Sequence, residues 1–127
     1  MTDKSKDKTQ SFLLACRFYK GNKKKKKELE KKYPFFKDME PDHDNLTMKL
    51  STRFEPGDDV LYQLCRRNTD YVEETLARIE KDYGKYYSQI LTMLYIDQKT
   101  QDAVAQENNL SRRQLMYMIN KLLKEAL

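Results

Sequence analysis

Two adjacent arginines near the C-terminal end of the chain, Arg112 and Arg113, are the residues best suited to binding chemistry. They follow Ser111 and open a predicted helix. A guanidinium carries a fork of N–H donors that matches the acceptors of guanine and the oxygens of a phosphate. The helix dipole mildly disfavours arginine at a helix N-terminus, which hints at another reason for the pair. The pair predicts a nucleic-acid contact, and a solvated helix end is the alternative.

A run of five lysines forms a second cationic group: Lys23, Lys24, Lys25, Lys26 and Lys27. Such a run can act as an arm that releases counterions from phosphates without reading sequence. The alternative is a solvated lysine-rich helix, because the stretch is rich in helix formers and has almost no apolar stripe. The net charge is +5, and both ends of the chain are basic while its middle is slightly acidic, which suits contact of the ends with an anionic polymer, although solubility alone explains the same distribution.

The sequence offers little to an enzyme. His43 is the only histidine, and no nucleophile pattern accompanies it. Cys16 and Cys65 lack a CxxC spacing or a nearby histidine, so we expect buried or half-buried thiols. No phosphate loop, metal cluster or paired base and nucleophile is recognisable. We therefore expect no catalytic activity, no cofactor and no metal.

The first half of the chain predicts little regular structure. Residues 1–10 are polar and aperiodic, which predicts disorder. A short helix follows and is expected to end at Gly21. Residues 46–54 alternate with a strand-like period of two but have no partner strand, so they are interpreted as an extended arm. We expect residues 1–55 to form a basic, partly disordered N-terminal segment.

Membrane association is not expected. No apolar run approaches the roughly 20 residues that cross a bilayer. The first ten residues lack the apolar stretch and cleavage site of a signal peptide. These features predict a cytoplasmic protein without a membrane partner.

Residues 56–127 are predicted to form a small all-α domain. The pattern indicates a helix after Gly57, a separate helix that Thr69 caps and Gly84 ends, and a third helix with the strongest apolar stripe of the chain. The prolines before this domain and the aromatic pair Phe35 and Phe36 indicate a connector whose aromatic rings dock on the core.

The last two predicted helices fold over a tight turn within residues 100–126. Thr100 is a suitable N-cap for the first of them. Asn109 tolerates the left-handed conformation that a sharp turn demands. Ser111 with Gln114 three residues later is a capping box, so the second helix is expected to begin at Arg112.

The second of these helices, residues 112–126, is amphipathic. Leu115, Ile119 and Leu122 are predicted to be buried. The opposite side is predicted to contact DNA and consists of Ser111, Arg112, Arg113, Met116, Tyr117, Asn120, Lys121 and Lys124.

From about residue 86 onward the chain resembles region 4 of bacterial sigma factors and the small sigma-like regulators of phages and mobile elements. The likeness covers about a third of the chain and rests on Ile90, Leu91, Leu94, Tyr95, Ile96, Thr100, Val104, Ala105, Leu110, Ser111, Leu115 and Met118. The chain departs from the family at Asn109, where glycine is usual, and at Asn108, where an apolar residue is usual. Asn108 must then find a hydrogen-bond partner or lie at the surface.

The resemblance implies a C-terminal helix-turn-helix and a transcriptional regulator that binds double-stranded DNA with helix 112–126 in the major groove. Met116 and Tyr117 stand where sigma factors often carry polar base-reading groups. RNA polymerase and a second copy of the chain are the partners that such a module would use. The alternative function is a protein-interaction module that binds RNA polymerase or a phage or mobile-element protein.

Overall fold

The computed structural model describes residues 3–38 and 57–127, with side chains from residue 7 onward. Within these ranges the chain forms helices and no strand, which confirms the predicted all-α class. The α-helices are α1 (Asp3–Lys32), α2 (Asp58–Tyr83), α3 (Lys85–Leu91), α4 (Gln101–Glu107) and α5 (Arg112–Ala126). The predictions for His43 and for residues 46–54 lie outside the described residues.

Helix α1 is longer and more regular than the sequence predicted. The expected disorder of residues 1–10 is wrong for residues 3–10, which are helical, and the expected helix end at Gly21 is also wrong. A glycine inside a helix costs only about 1 kcal/mol relative to alanine. The strong helix formers on both sides of Gly21 extend the hydrogen-bonded ladder and outweigh that cost.

Helix α2 is continuous where two helices were predicted. Thr69 is buried inside it, and its hydroxyl donates to the backbone oxygen of Arg66, 3.1 Å away, so it does not cap a helix. A threonine followed by acids resembles an N-terminus in sequence, but it is also compatible with a helix interior when helix formers precede it. The predicted end at Gly84 is confirmed, because this glycine has φ 111° directly after α2.

The described residues form two compact units, and α1 and α2 supply residues to both. One unit lies within Tyr19–Tyr71. Its core holds the buried side chains of Leu29, Tyr33, Phe36 and Tyr62, with Phe35 packed against them. The predicted docking of Phe35 and Phe36 is therefore confirmed, and Phe36 is fully buried. The short 3₁₀ helix Pro34–Asp38 turns both rings toward this core.

The other unit combines the described residues up to Phe18 with Val72–Leu127. Its α4 and α5 pack on each other. The buried apolar side chains of this unit are Phe12, Cys16, Val72, Ile79, Ile90, Leu91, Leu94, Ile96, Val104, Ala105, Leu115, Ile119, Leu122 and Leu123. The guanidinium of Arg78 on α2 donates to the backbone oxygen of Ala126, 3.0 Å away, and so caps the end of α5.

A π-helical turn, Thr92–Ile96, extends α3. The backbone N–H of Asp97 donates to the oxygen of Thr92, 2.8 Å away, which is the five-residue spacing of a π turn. Gln98 then adopts φ 55°, a left-handed conformation in which the chain changes direction toward α4. No described helix is long and apolar enough to cross a membrane.

Candidate functional site

The turn between α4 and α5 fixes the position of the candidate site. The backbone N–H of Leu110 donates to the oxygen of Ala105 at 2.9 Å, and that of Asn109 donates to the oxygen of Gln106 at 3.2 Å. These two bonds, with Asn109 at φ 56°, constitute a Schellman motif. The predicted left-handed turn at Asn109 is confirmed, with asparagine in the place that glycine usually occupies.

Side-chain N-caps mark the first turns of both α4 and α5, as the sequence predicted. The Thr100 hydroxyl accepts from the N–H of Ala103 at 3.1 Å. The Ser111 hydroxyl accepts from the N–H of Gln114 at 3.0 Å. The Gln114 side chain in turn accepts from the N–H of Ser111 at 2.9 Å, which completes the capping box. Helix α5 therefore begins at Arg112.

The polar side chain of Asn108 has the hydrogen-bond partner that it was predicted to need. It is half-buried, and its amide nitrogen donates to the backbone oxygen of Val104 at 2.8 Å. The same carbonyl also accepts from the backbone N–H of Asn108 at 3.2 Å, so the side-chain bond gives the half-buried amide a partner and adds a second donor at the end of α4.

The predicted contact residues share the outward side of α5. Of the eight, only Met116 is half-buried, and the other seven are exposed: Ser111, Arg112, Arg113, Tyr117, Asn120, Lys121 and Lys124. Tyr117 is the most exposed aromatic residue of the described chain, with 71% of its surface accessible. The inward side carries the fully buried Leu115 and Ile119, which confirms the amphipathic prediction.

The two arginines differ in their surroundings. The Arg112 Nε–H donates to the side-chain oxygen of Gln101, at the start of α4, over 2.9 Å. Within the described residues the Arg113 side chain makes no hydrogen bond or ion pair. The sequence did not reveal the Gln101 contact, because these residues are eleven positions apart and meet only when the turn folds.

Two concavities border this face. One, of about 350 Å³, is lined by three tyrosines, Tyr83, Tyr87 and Tyr117, together with Met118, Lys121, Leu122 and Glu125. A larger one, of about 620 Å³, lies along the C-terminal half of α5, beside Asn120, Lys121 and Lys124. The three tyrosines lie in three different helices, so the sequence did not indicate that they share a cleft.

The lysine run lies on α1, within the other compact unit. Lys24, Lys25 and Lys27 are exposed, whereas Lys23 donates to the Tyr19 hydroxyl at 3.0 Å. Lys25 lies 3.9 Å from the carboxylate of Glu28. These residues are helical, so any phosphate contact they make would come from a helix surface and not from an extended arm.

The two cysteines lie in environments that do not favour reactivity. Cys16 and Cys65 are free and buried, as predicted. Burial raises the pKa of the Cys16 thiol to about 12 and also raises that of Cys65, so both are protonated at neutral pH. Among the described residues no group of histidine, cysteine or acidic side chains is arranged to hold a metal ion.

Comparison of the chain with protein-family models, with curated proteins and with solved structures finds no match.

Proposed function

We propose that this chain is a sequence-specific DNA-binding transcriptional regulator of the sigma-region-4 type. In such a regulator α4 and α5 form a helix-turn-helix, and α5 lies in the major groove of duplex DNA. The observation that carries the proposal is the exposed cationic face of α5, with Arg112 and Arg113 in its first turn and Lys121 and Lys124 farther along.

The dimensions and chemistry of α5 support this role. The 15 residues of α5 form a helix about 22 Å long, and the major groove is wide enough to admit an α-helix. Arginines at the start of a groove-bound helix reach base edges, whereas lysines farther along reach phosphates. Met116 is suited to a thymine methyl group, and the Tyr117 hydroxyl to a phosphate oxygen.

A single helix-turn-helix reads few base pairs, so a regulator of this kind needs a source of added selectivity. Tethering to RNA polymerase or pairing with a second copy would supply it, because two linked contacts multiply in affinity. The lysines on α1 would add sequence-independent phosphate binding. We also propose that the protein is cytoplasmic, has no catalytic activity and binds no cofactor.

The second candidate is a protein-interaction module. The exposure of Tyr117 beside a cleft that also contains Tyr83 and Tyr87 favours it, since tyrosine is enriched at protein interfaces. The partner would be RNA polymerase or a phage or mobile-element protein, and acidic groups of that partner would replace phosphates at Arg112 and Arg113. Such a protein would co-purify with its partner after nuclease treatment and bind DNA weakly and without sequence preference.

Selection of bound sequences from random duplex DNA, followed by gel-shift titration at several salt concentrations, tests the first proposal. Arg112→Ala with Arg113→Ala is expected to weaken binding by roughly 5- to 150-fold for each arginine that binds a base. The slope of log K against log salt should become shallower by about 0.9 for each arginine that binds a phosphate.

The matched control is Lys8→Ala with Lys81→Ala, which removes the same charge from exposed positions on α1 and α2. This variant should leave the selected sequence unchanged. Equal binding by the arginine variant and the wild-type protein, or enrichment of no sequence, would refute the proposal.

A further inference from the structure

Gln101 and Arg112 connect the first residues of two consecutive helices. Gln101 begins α4 and is half-buried, while Arg112 begins α5 and is exposed. The 2.9 Å bond runs from the Arg112 Nε–H to the Gln101 side-chain oxygen. It joins the two N-terminal ends across the turn and is the only hydrogen bond that the Arg112 side chain makes within the described residues.

The atom that Gln101 engages determines what Arg112 can still bind. A guanidinium has five N–H donors, one on Nε and two on each Nη. With Nε–H engaged, the side-on pair of Nε and Nη is blocked, and the end-on pair of the two Nη groups remains. That remaining pair can bind two acceptors at once, as the O6 and N7 atoms of guanine require.

We propose that Gln101 is a positioning residue that holds the Arg112 guanidinium end-on toward guanine, an inference that rests on the proposed DNA-binding function. A free arginine loses much rotamer entropy when it binds. Gln101 orders the side chain beforehand, and pre-ordering one such side chain is expected to raise affinity by roughly twofold to tenfold. Arg113 has no equivalent partner among the described residues, so its contact would be less selective.

The test compares Gln101→Met with Gln106→Met. Methionine removes the acceptor oxygen but keeps length and helix propensity. Gln106 is exposed on the same helix, and its side chain makes no hydrogen bond within the described residues, so it is a matched control. The same random-duplex selection and titration are carried out on four variants: Gln101→Met, Gln106→Met, Arg112→Ala, and the double variant that combines Gln101→Met with Arg112→Ala. Gln101→Ala serves as a second acceptor-free variant if the methionine variant does not fold.

We expect Arg112→Ala to abolish a guanine preference at one position of the selected site. Gln101→Met should reduce the preference at that same position by roughly twofold to tenfold and leave other positions unchanged. Gln106→Met should behave like the wild type, and the double variant should bind like Arg112→Ala alone. In the free protein, the NMR signal of the Arg112 Nε–H should exchange faster with water in Gln101→Met than in Gln106→Met.

Three outcomes would overturn the inference while leaving the proposed function intact: an unchanged base preference in Gln101→Met, equal losses from Gln101→Met with and without Arg112, or a loss spread over all positions. If the wild-type protein enriches no duplex sequence, the proposed function fails and this inference fails with it.

Discussion

The conformation of Asn109 leads to the most direct structural prediction. This residue is exposed, has φ 56° and occupies the left-handed position of the Schellman motif that separates α4 from α5. A side chain with a Cβ pays roughly 1–2 kcal/mol in this conformation, asparagine pays less, and glycine pays almost nothing. Asn109→Ala should therefore destabilise the protein by about 1 kcal/mol, and Asn109→Gly should stabilise it by about 0.5 kcal/mol.

Asn120 is the matched control, because it is an exposed asparagine in the interior of α5. Helix propensity reverses both signs there: Asn120→Ala should stabilise by about 0.5 kcal/mol, and Asn120→Gly should destabilise by about 0.3 kcal/mol. Thermal unfolding followed by circular dichroism measures all four variants. For a chain of this size 1 kcal/mol corresponds to about 4 °C in Tm. If alanine shifted Tm in the same direction at both positions, backbone conformation would not be the reason for asparagine at 109.

Two further predictions concern the cap and the buried thiol. Ser111→Ala removes the bond from Gln114 N–H to the serine hydroxyl and should lower the free energy of unfolding by about 1 kcal/mol in urea titrations. The control is Ser11→Ala, at an exposed site inside α1, which should raise the free energy of unfolding slightly. Equal effects of the two variants would contradict the capping role. Burial raises the pKa of Cys16 from 9.0 to about 12, so the folded state favours the protonated thiol over the thiolate. The contribution of the protonated thiol to the free energy of unfolding is therefore complete below pH 9 and is lost as pH rises toward 12. Cys16→Ser should reduce that alkaline loss of stability, and an unchanged pH profile would contradict the assignment.

The sequence predicted best where structure depends on local chemistry. Thr100, Asn109 and Ser111 were identified from residue type and spacing alone, because caps and left-handed turns involve residues three to five apart. The all-α class followed from periodicity in the same way.

The errors arose where neighbouring elements override a local signal. Thr69 has the sequence context of a cap but lies inside α2, and Gly21 has the sequence context of a helix end but lies inside α1. The π turn at Thr92–Ile96 gives no periodic signature over only five residues. The contact between Arg112 and Gln101 requires the folded turn, and spacing alone does not predict it.

In the α4–α5 pair, most residues that set the geometry differ from those that the proposed function places against a partner, and Ser111 and Arg112 belong to both groups. Thr100, Asn109 and Gln114 shape the turn through local bonds. The side chains of five residues make no hydrogen bond or ion pair within the described residues: Arg113, Tyr117, Asn120, Lys121 and Lys124. Exchanging the second group should change stability little, because surface substitutions away from such features usually stay within about 0.5 kcal/mol. The outward face can therefore diversify under selection while the scaffold is retained, which makes this helix pair a suitable starting point for evolving new recognition in the laboratory.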